Sequence, residues 1–335
     1  MADQLRVTAP VRVLDIGCWT DTWFAVHGEV CSIAVGDGVD VSLELTAPRP
    51  GHEPEFDLWA HSYDQRYTFS PLSRPGHHPL LESTLLRWCP PDVSAKVEIS
   101  SPVPPGCGVG TSAAVVVAMI TALWAAAGKP LDPQEIAVAA HRIETEDVGL
   151  QSGVQDQRAA AYGGANLIVI DPYPTARVQP VPVSEQTWQA LTDRLITVYL
   201  GMPHESSALH ESVIARLTGT DREPLLEPLR LAALRAATAL AAGDLDALGA
   251  AAIDATDAQA QLHPDLVGAR AREVIDCAAG LGAVGWKVNG AGGEGGTVTV
   301  IGPPDPGPLL AALDAISYVT RLNLVPTRTG ATVVG

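Results

Sequence analysis

The sequence lacks several features that mark whole classes of protein. Its five cysteines are scattered, without the C-x-x-C spacing of a redox or metal site. The apolar runs are too short or too interrupted to span a bilayer, and the first residues have neither the charged nor the apolar region of a secretory signal. We therefore expect reduced thiols and a cytoplasmic protein that does not partner a membrane.

Positive charge is scarce as well. Lys and Arg number 21 against 38 Asp and Glu, which gives a net charge of −17. A nucleic acid or an anionic membrane would be repelled by most of such a surface, so we expect neither of them as a partner. Solubility alone would also account for the acidity. An acidic protein that binds a nucleotide must form a local positive pocket.

What is present indicates a mixed α+β protein. The length of 335 residues suits two domains or one two-lobed unit, and no repeat of 20–50 residues is visible. A Pro-rich stretch at 172–183 is the best candidate linker, so we expect an N-terminal lobe at 1–183 and a C-terminal lobe at 184–335. Residues 46–91 are expected to be irregular apart from one helix near 79–88. Apolar patterning predicts strands at 5–16, 29–45, 95–100, 165–170, 194–200, 284–288, 297–301 and 321–325, and helices at 112–127, 132–147, 307–317 and in three segments of 205–281.

The most informative stretch is residues 104–114, in which Gly106, Gly108 and Gly110 lead into an Ala/Val-rich helix. Glycines let a phosphate approach bare N–H groups, and the dipole of the following helix favours an anion. The stretch does not end in the Gly-Lys-Ser/Thr of a Walker A loop, and Thr111 replaces the last glycine of G-x-G-x-x-G. The charge of a bound phosphate must then be neutralised by the helix end, a metal and distant residues.

A second glycine-rich loop spans residues 290–296, with five glycines in seven positions. A tight hairpin needs only one or two, so this density favours a close backbone approach to a ligand or to the first loop.

Two further segments carry candidate polar groups. Arg12 could serve an anion and Asp21 a polyol, although a surface ion pair and simple turn chemistry are alternatives. Glu144 stands at a predicted helix end. It could be a functional carboxylate or simply part of a solvated helix terminus. Asp156 follows Gly153 in a segment with little other charge except Arg158, so a buried carboxylate that needs a partner is plausible there.

Taken together, the A-P-x-R-V segment from Ala9, the 104–114 loop, the Asp156-Gln157 segment and the 290–296 loop resemble the GHMP kinases. The motifs occur in family order. Gly17 to Thr22 and Gln155 to Gln157 look closest to the sugar 1-kinases of the heptose 7-phosphate kinase, L-fucokinase and galactokinase type. The resemblance implies a two-lobed α+β fold with a ribosomal S5 domain 2-like N-terminal lobe and an α/β-sandwich C-terminal lobe.

The resemblance also implies a mechanism and a set of site residues. It implies ATP-dependent phosphorylation of a small-molecule substrate, a sugar or sugar phosphate, at the anomeric C1 hydroxyl, by a monomer or homodimer. Asp156 would be the catalytic carboxylate with Arg12 as its cationic partner, and Ser112 and Glu144 would bind Mg²⁺. Substrate would contact Trp19, Thr20, Asp21, Gln155, Asp156 and Gly292. ATP would lie against Pro105, Gly106, Cys107, Gly108, Val109, Gly110, Thr111, Ser112, Ala113, Gly290, Gly292 and Gly293.

Some positions depart from the family pattern. Cys18 stands where galactokinases carry a glutamate, which makes galactose itself doubtful. Arg158 could hold a phosphate on the substrate, or balance Asp156 or Glu144. Residues 204–207 could contact substrate or cap a helix, and the tryptophans at 59, 88 and 124 could pack or stack on adenine. A kinase for a cyclitol or another small alcohol, and a catalytically silent sugar or ATP sensor, remain alternative functions.

Overall fold

The computed structural model describes residues 4–203, 207–218 and 221–334. The strands are β1 (Leu5–Ile16), β2 (Gly28–Thr46), β3 (Phe56–Ala60), β4 (Gln65–Phe69), β5 (Ser94–Ser100), β6 (Ala165–Ile170), β7 (Ala176–Pro180), β8 (Leu195–Tyr199), β9 (Gly285–Val288), β10 (Thr297–Ile301), β11 (Thr320–Leu322) and β12 (Thr332–Val334). The helices are α1 (Pro79–Trp88), α2 (Thr111–Ala126), α3 (Pro133–Arg142), α4 (Gln155–Tyr162), α5 (Glu185–Arg194), α6 (Ser207–Thr218), α7 (Glu223–Ala242), α8 (Leu245–Leu262), α9 (Ala269–Gly280) and α10 (Gly307–Asp314).

Two sheets organise these elements. The larger has the order β12-β1-β2-β5-β3-β4, and β6 and β7 extend it beside the first half of β2. Its pairs are antiparallel except for the parallel pair of β3 and β5. The smaller sheet has the order β11-β8-β10-β9 and is antiparallel throughout. The last strand, β12, returns to the first sheet and pairs with β1.

Each sheet is covered by helices whose composition suits burial. Helix α2 is apolar on almost every face, and its Val116, Val117 and Ile120 are fully buried against the larger sheet. Each such side chain contributes roughly 1.5–3 kcal/mol when removed from water. Helices α7 and α8 form a second core with the ends of β1 and β2, while α9 and α10 pack on the smaller sheet. These layers fix the loops that follow β1 and precede α2.

Most predicted elements are confirmed, and the misses have physical causes. The 172–183 stretch is not a linker, because Val178 pairs with Ile168 and β7 forms an edge strand, where proline is tolerated. Residues 46–91 are not irregular, since β3 and β4 form a hairpin before α1. The predicted helix at 132–147 divides into α3 and a π-helical turn at Ile143–Asp147. Four helices, α6 to α9, replace the three expected segments of 205–281. The lobe boundary at 183/184 stays a prediction.

No helix in the described part of the chain is both long and apolar enough to cross a membrane.

Candidate active site

The first glycine loop requires glycine for two separate reasons. Gly106, Gly108 and Gly110 have φ of 73°, 74° and 77°, in the left-handed region that a Cβ disfavours. A Cβ on Gly110 would also stand 3.1 Å from Cγ of Asp156, and one on Gly108 would stand 3.1 Å from the carbonyl oxygen of Asn289. Gly110 directly precedes α2, so the free N–H groups at the start of that helix lie next to the glycine loop.

The two glycine loops touch each other, as the density of glycine in the second loop predicts. A Cβ on Gly290, whose φ is 65°, would lie 2.7 Å from the carbonyl oxygen of Gly108. The later glycines have a different neighbour, because Gly293 donates its N–H to the Leu266 carbonyl across 3.0 Å and Gly292 packs against the same oxygen. The beginning of the second loop therefore meets the first loop, while its middle is anchored to the segment before α9.

Arg12 connects the first loop to the carboxylate on α4. It lies on β1 with 3% of its surface exposed, and its Nε donates to Oδ1 of Asp156 across 2.9 Å. Its Nη1 donates to the carbonyl oxygen of Gly108, and its Nη2 lies 3.5 Å from Oδ2 of Asp15. Burial would lower the pKa of Arg12, but the carboxylates of Asp15 and Asp156 outweigh it and raise that pKa. Arg12 is therefore a permanent cation whose charge is matched by two acids.

Sequence reasoning missed the buried network behind the second loop. Asp15 and Lys287 are fully buried, with Nζ 3.8 Å from Oδ1. Asp15 Oδ2 accepts the N–H of Gly290 across 2.8 Å, while Lys287 Nζ donates to Oε1 of Gln259 across 2.6 Å. Gln259 in turn donates to the Gly290 carbonyl. An aspartate inside an apolar strand and a lysine beside a glycine loop were the signals available, because buried charges need partners.

Glu144 sits in the π-helical turn and lines the same cleft as Arg12 and Gly110. Its Oε2 accepts hydrogen bonds from Oγ of Ser152 and from Nε2 of Gln157, the latter across 2.8 Å. Its Oε1 is buried and has no hydrogen-bond partner among the residues described. Burial raises the pKa of Glu144 to about 7, against the hydrogen bond from Ser152, and Asp156 adds to the rise. A buried carboxylate with an unused oxygen can still accept a cation.

Trp19 and Asp21 follow β1 and line the same cleft. Trp19 adopts a φ of 79°, and its ring lies 4.6 Å from that of His210 on α6. Asp21 Oδ2 accepts the N–H of Gln155 across 3.1 Å, which satisfies one of the free donors at the start of α4. Burial raises the pKa of Asp21 to about 6, and the charge of Asp156 contributes.

These walls enclose a cleft of about 570 Å³. It is lined by Arg12, Cys18, Trp19, Asp21, Thr22, Leu80, Gly106, Cys107, Gly108, Gly110, Thr111, Ser112, Ala113, Glu144, Gly149, Leu150, Gln151, Ser152, Gly153, Gln155, Asp156, His210, Glu211, Gly290 and Ala291.

Comparison with known proteins agrees with the motifs that meet in this cleft. Residues 80–164, which contain the first loop and Asp156, match the family model of the GHMP kinases N terminal domain. This part of the chain is a GHMP kinase N-terminal domain.

Two curated relatives illustrate what the sequence is similar to beyond this domain. It is 27% identical over 223 residues to the D-glycero-alpha-D-manno-heptose 7-phosphate kinase of Campylobacter jejuni, in a match that covers 66% of this chain and 65% of that protein. It is 30% identical over 209 residues to the mevalonate kinase of Thermococcus sibiricus, with 59% and 57% covered. The sequence matches thus span less than two thirds of either relative. Both relatives are kinases by name.

Solved structures extend the likeness to the whole chain. A D-glycero-D-manno-heptose 1-phosphate kinase from Bacteroides thetaiotaomicron superposes with a TM-score of 0.76 at 20% identity, covering 99% of each chain. The galactokinase of Lactococcus lactis, solved with galactose, superposes with a TM-score of 0.78 at 15% identity, covering 99% of this chain and 95% of that one. At such identities the likeness concerns the fold, and it confirms the predicted two-lobed α+β architecture.

Not every predicted site residue lies along the cleft. Thr20 is fully buried, and its hydroxyl donates to the Gly17 carbonyl across 2.8 Å. Val109 is buried and accepts the N–H of Arg12 through its carbonyl. The lining includes neither of these residues, nor Pro105, Gly292 or Gly293, and it includes the other predicted positions.

The structure also bears on the alternative roles of Arg158 and of the tryptophans at 59, 88 and 124. Arg158 is 1% exposed and donates to the Val154 carbonyl, so it neither lines the cleft nor forms a described ion pair with Asp156 or Glu144. Trp88 and Trp124 pack edge to face, and Trp59 stacks on His61, all away from the cleft lining. The question of residues 204–207 lies outside the described residues, except that α6 begins at Ser207.

Proposed function

We propose that this chain is an ATP-dependent kinase that phosphorylates a sugar or sugar phosphate, at its anomeric C1 hydroxyl, by direct in-line transfer. The observation that carries the proposal is the Arg12–Asp156 pair at the junction of two glycine loops that touch each other. Phosphoryl transfer has a loose, highly charged transition state, so positioning and cationic stabilisation supply most of the catalysis. A cleft that brings an arginine, a carboxylate and a helix N-terminus together is suited to that task.

The roles follow from the contacts. The N–H groups at the start of α2 and the bare backbone of Gly108 and Gly110 would bind the ATP phosphates. Asp156 would orient the acceptor hydroxyl and take its proton as the bond to phosphorus forms. Arg12 would hold Asp156 in position and offset charge on the transferred group. Asp21, with Gln155, would bind hydroxyl groups of the acceptor.

The residues present fit a magnesium ion. The described residues contain no group of three or more His, Cys, Asp and Glu side chains that could hold a metal by themselves. Mg²⁺, however, prefers hard oxygen ligands and takes few of them from protein, the rest coming from phosphate and water. Ser112 and the unpartnered Oε1 of Glu144 offer a hydroxyl and a carboxylate in one cleft. When bound there, the ion would neutralise charge on the ATP phosphates.

The proposal is tested by measuring ADP formation in the presence of Mg²⁺ with a panel of acceptors: hexoses, 6-deoxyhexoses, pentoses, uronic acids, heptose 7-phosphates and cyclitols. The expected result is turnover of at least one aldose, with the phosphate on C1 by NMR of the product. Absence of turnover across the panel, with sugar and ATP still bound in calorimetry, would instead support a silent sensor. A cytoplasmic location and a monomeric or homodimeric state belong to the same proposal.

A further inference from the structure

The electrostatic character of the cleft bears on the charge of its substrate. Within residues 4–203, 207–218 and 221–334, the lining contains one permanent cation, Arg12, and four carboxylates, Asp21, Glu144, Asp156 and Glu211. Arg12 is already matched by Asp156 and by the buried Asp15. The cation therefore has little capacity to balance a second anionic group beyond the transferred phosphoryl.

The arginine that could have served a substrate phosphate is unavailable. Arg158 lies behind the wall, almost fully buried, and its Nη1 donates to the Val154 carbonyl across 2.8 Å. A phosphate monoester carries a charge of about −1.5 to −2 at neutral pH, and proteins hold it with arginine, lysine or helix N-termini. The acceptor end of the cleft is the part formed by Trp19, Asp21 and Gln155. There, the N–H of Gln155 at the start of α4 is already donated to Asp21. Apart from Arg12, no lysine or arginine of the described residues lines the cleft to hold a phosphate.

The same wall does offer groups that suit uncharged hydroxyls. The indole Nε1 of Trp19 and the Oε1 of Gln155 have no hydrogen-bond partner among the described residues, although Trp19 is 4% exposed and Gln155 6% exposed. Both residues line the cleft. A buried donor and a buried acceptor without partners are costly unless a ligand satisfies them. A sugar or cyclitol hydroxyl can accept from one and donate to the other, and it adds no charge.

We propose that the acceptor is an uncharged polyol, a free sugar or a cyclitol, and that the acidic acceptor end of the cleft excludes sugar phosphates and carboxylates. This inference rests on the proposed kinase function and resolves the choice between a sugar and a sugar phosphate that the sequence leaves open. Like charges brought together in a partly desolvated site are strongly unfavourable, which gives the exclusion its physical cause.

Matched acceptor pairs test the inference. Initial rates are compared for mannose and mannose 6-phosphate, galactose and galacturonate, and a heptose and its 7-phosphate. We expect kcat/KM to be higher for the uncharged member by about a hundredfold or more. Equal or faster turnover of the charged members would overturn the inference and leave the kinase proposal intact. If no compound yields ADP, the kinase proposal fails, and calorimetric titration of the same pairs with a non-hydrolysable ATP analogue present still ranks their binding.

Charge-changing variants provide the matched control. Glu211 is an exposed carboxylate of α6 at the cleft, outside the proposed catalytic groups, whereas Asp276 is an exposed carboxylate of α9 away from it. Glu211→Lys should improve the ratio of charged to uncharged acceptor by about tenfold, Glu211→Gln by less, and Asp276→Lys not at all. A ratio that Glu211→Lys and Asp276→Lys leave equally unchanged would contradict a local electrostatic exclusion.

Discussion

Arg12 donates from Nε to Oδ1 of Asp156 across 2.9 Å, although 144 positions of sequence separate the two residues. The arginine comes from β1 and the aspartate from the first turn of α4, so the pair exists only because that helix packs beside that strand. The same guanidinium donates to the carbonyl of Gly108. One side chain thus couples the candidate catalytic carboxylate to the first glycine loop.

Asp156→Asn should abolish most turnover while ATP still binds. The amide has nearly the shape of the carboxylate, but it can neither take a proton nor carry the charge that Arg12 matches. Loss of a positioned acid–base group typically lowers the rate by about a hundredfold to ten-thousandfold. Steady-state ADP formation measures kcat, and calorimetry measures ATP affinity.

The control for this variant is Asp147→Asn, which removes a carboxylate that pairs with Arg87 at the surface. It should leave both quantities unchanged. An Asp156→Asn protein with normal kcat would remove Asp156 from the mechanism.

Gly290→Ala should weaken ATP binding much more than Gly128→Ala. Both glycines have nearly the same left-handed φ, 65° and 63°, so both substitutions carry a backbone penalty of roughly 1–2 kcal/mol. Only at Gly290 would the new Cβ meet the carbonyl oxygen of Gly108, at 2.7 Å, since nothing lies within 4 Å of a Cβ on Gly128. The collision must separate the two loops.

Calorimetric ATP titration of both variants checks this, with urea unfolding to show that each is folded. We expect a rise in Kd of about tenfold or more for Gly290→Ala, corresponding to about 1.4 kcal/mol. Equal affinities in the two variants would mean that contact between the loops does not matter for the nucleotide.

Sequence patterns could predict most of the fold because most elements carry a local signal. The run Thr111 to Ala126 is apolar and ends before Gly128-Lys129-Pro130, and β6 is a short apolar run before Asp171-Pro172. The β3–β4 hairpin escaped prediction because its strands are short and partly exposed and its connection contains no glycine pair. Strand β7 contains a proline, and its assignment depends on pairing with β6, which only the tertiary structure determines.

The site residues also differ in how much of their role the local sequence shows. Glycines at 106, 108 and 110 carry their meaning locally, since a positive φ excludes most side chains. Asp15 and Lys287 stand out locally only as charged residues in apolar surroundings, and their pairing arises from packing between β1 and β9, far apart in the sequence. The contrast between Asp21 and Thr20 is also tertiary, as neighbours on one loop face the cleft and the interior respectively.

Lys287→Met should destabilise the fold much more than Lys96→Met. Lys287 is fully buried beside Asp15, and removing one partner of a buried ion pair costs about 3–5 kcal/mol when nothing else compensates the remaining charge. Arg12 still faces Asp15, so the expected loss lies towards the lower end of that range. Lys96 pairs with Glu98 on an exposed face of β5, where such a pair contributes about 1 kcal/mol or less. Urea unfolding gives the free energies.

Adding Asp15→Asn to Lys287→Met should recover part of the loss, because the buried carboxylate that has lost one of its two cations is then gone. Recovery will be incomplete, since Asp15 also accepts the N–H of Gly290 and faces Arg12. Equal destabilisation by the two lysine substitutions would show that Lys287 carries no charge-specific role.

The stability of the wild-type protein should fall relative to Asp21→Asn as the pH rises from about 4 to about 6. Burial raises the pKa of Asp21 from 3.8 to about 6, so over that interval the folded state binds more protons than the unfolded state. The wild type is then penalised for burying a charge that the asparagine variant does not carry. The difference in unfolding free energy between the two proteins should reach about 3 kcal/mol at most and stay constant above that interval.

Urea unfolding of both proteins at about pH 4, 6 and 8 measures this difference, with Asp193→Asn on the exposed side of α5 as the control. A difference that does not change with pH, or one that changes equally in the control, would mean that Asp21 is solvated or compensated in the folded protein, and the acidic wall of the cleft would then be less desolvated than its burial indicates.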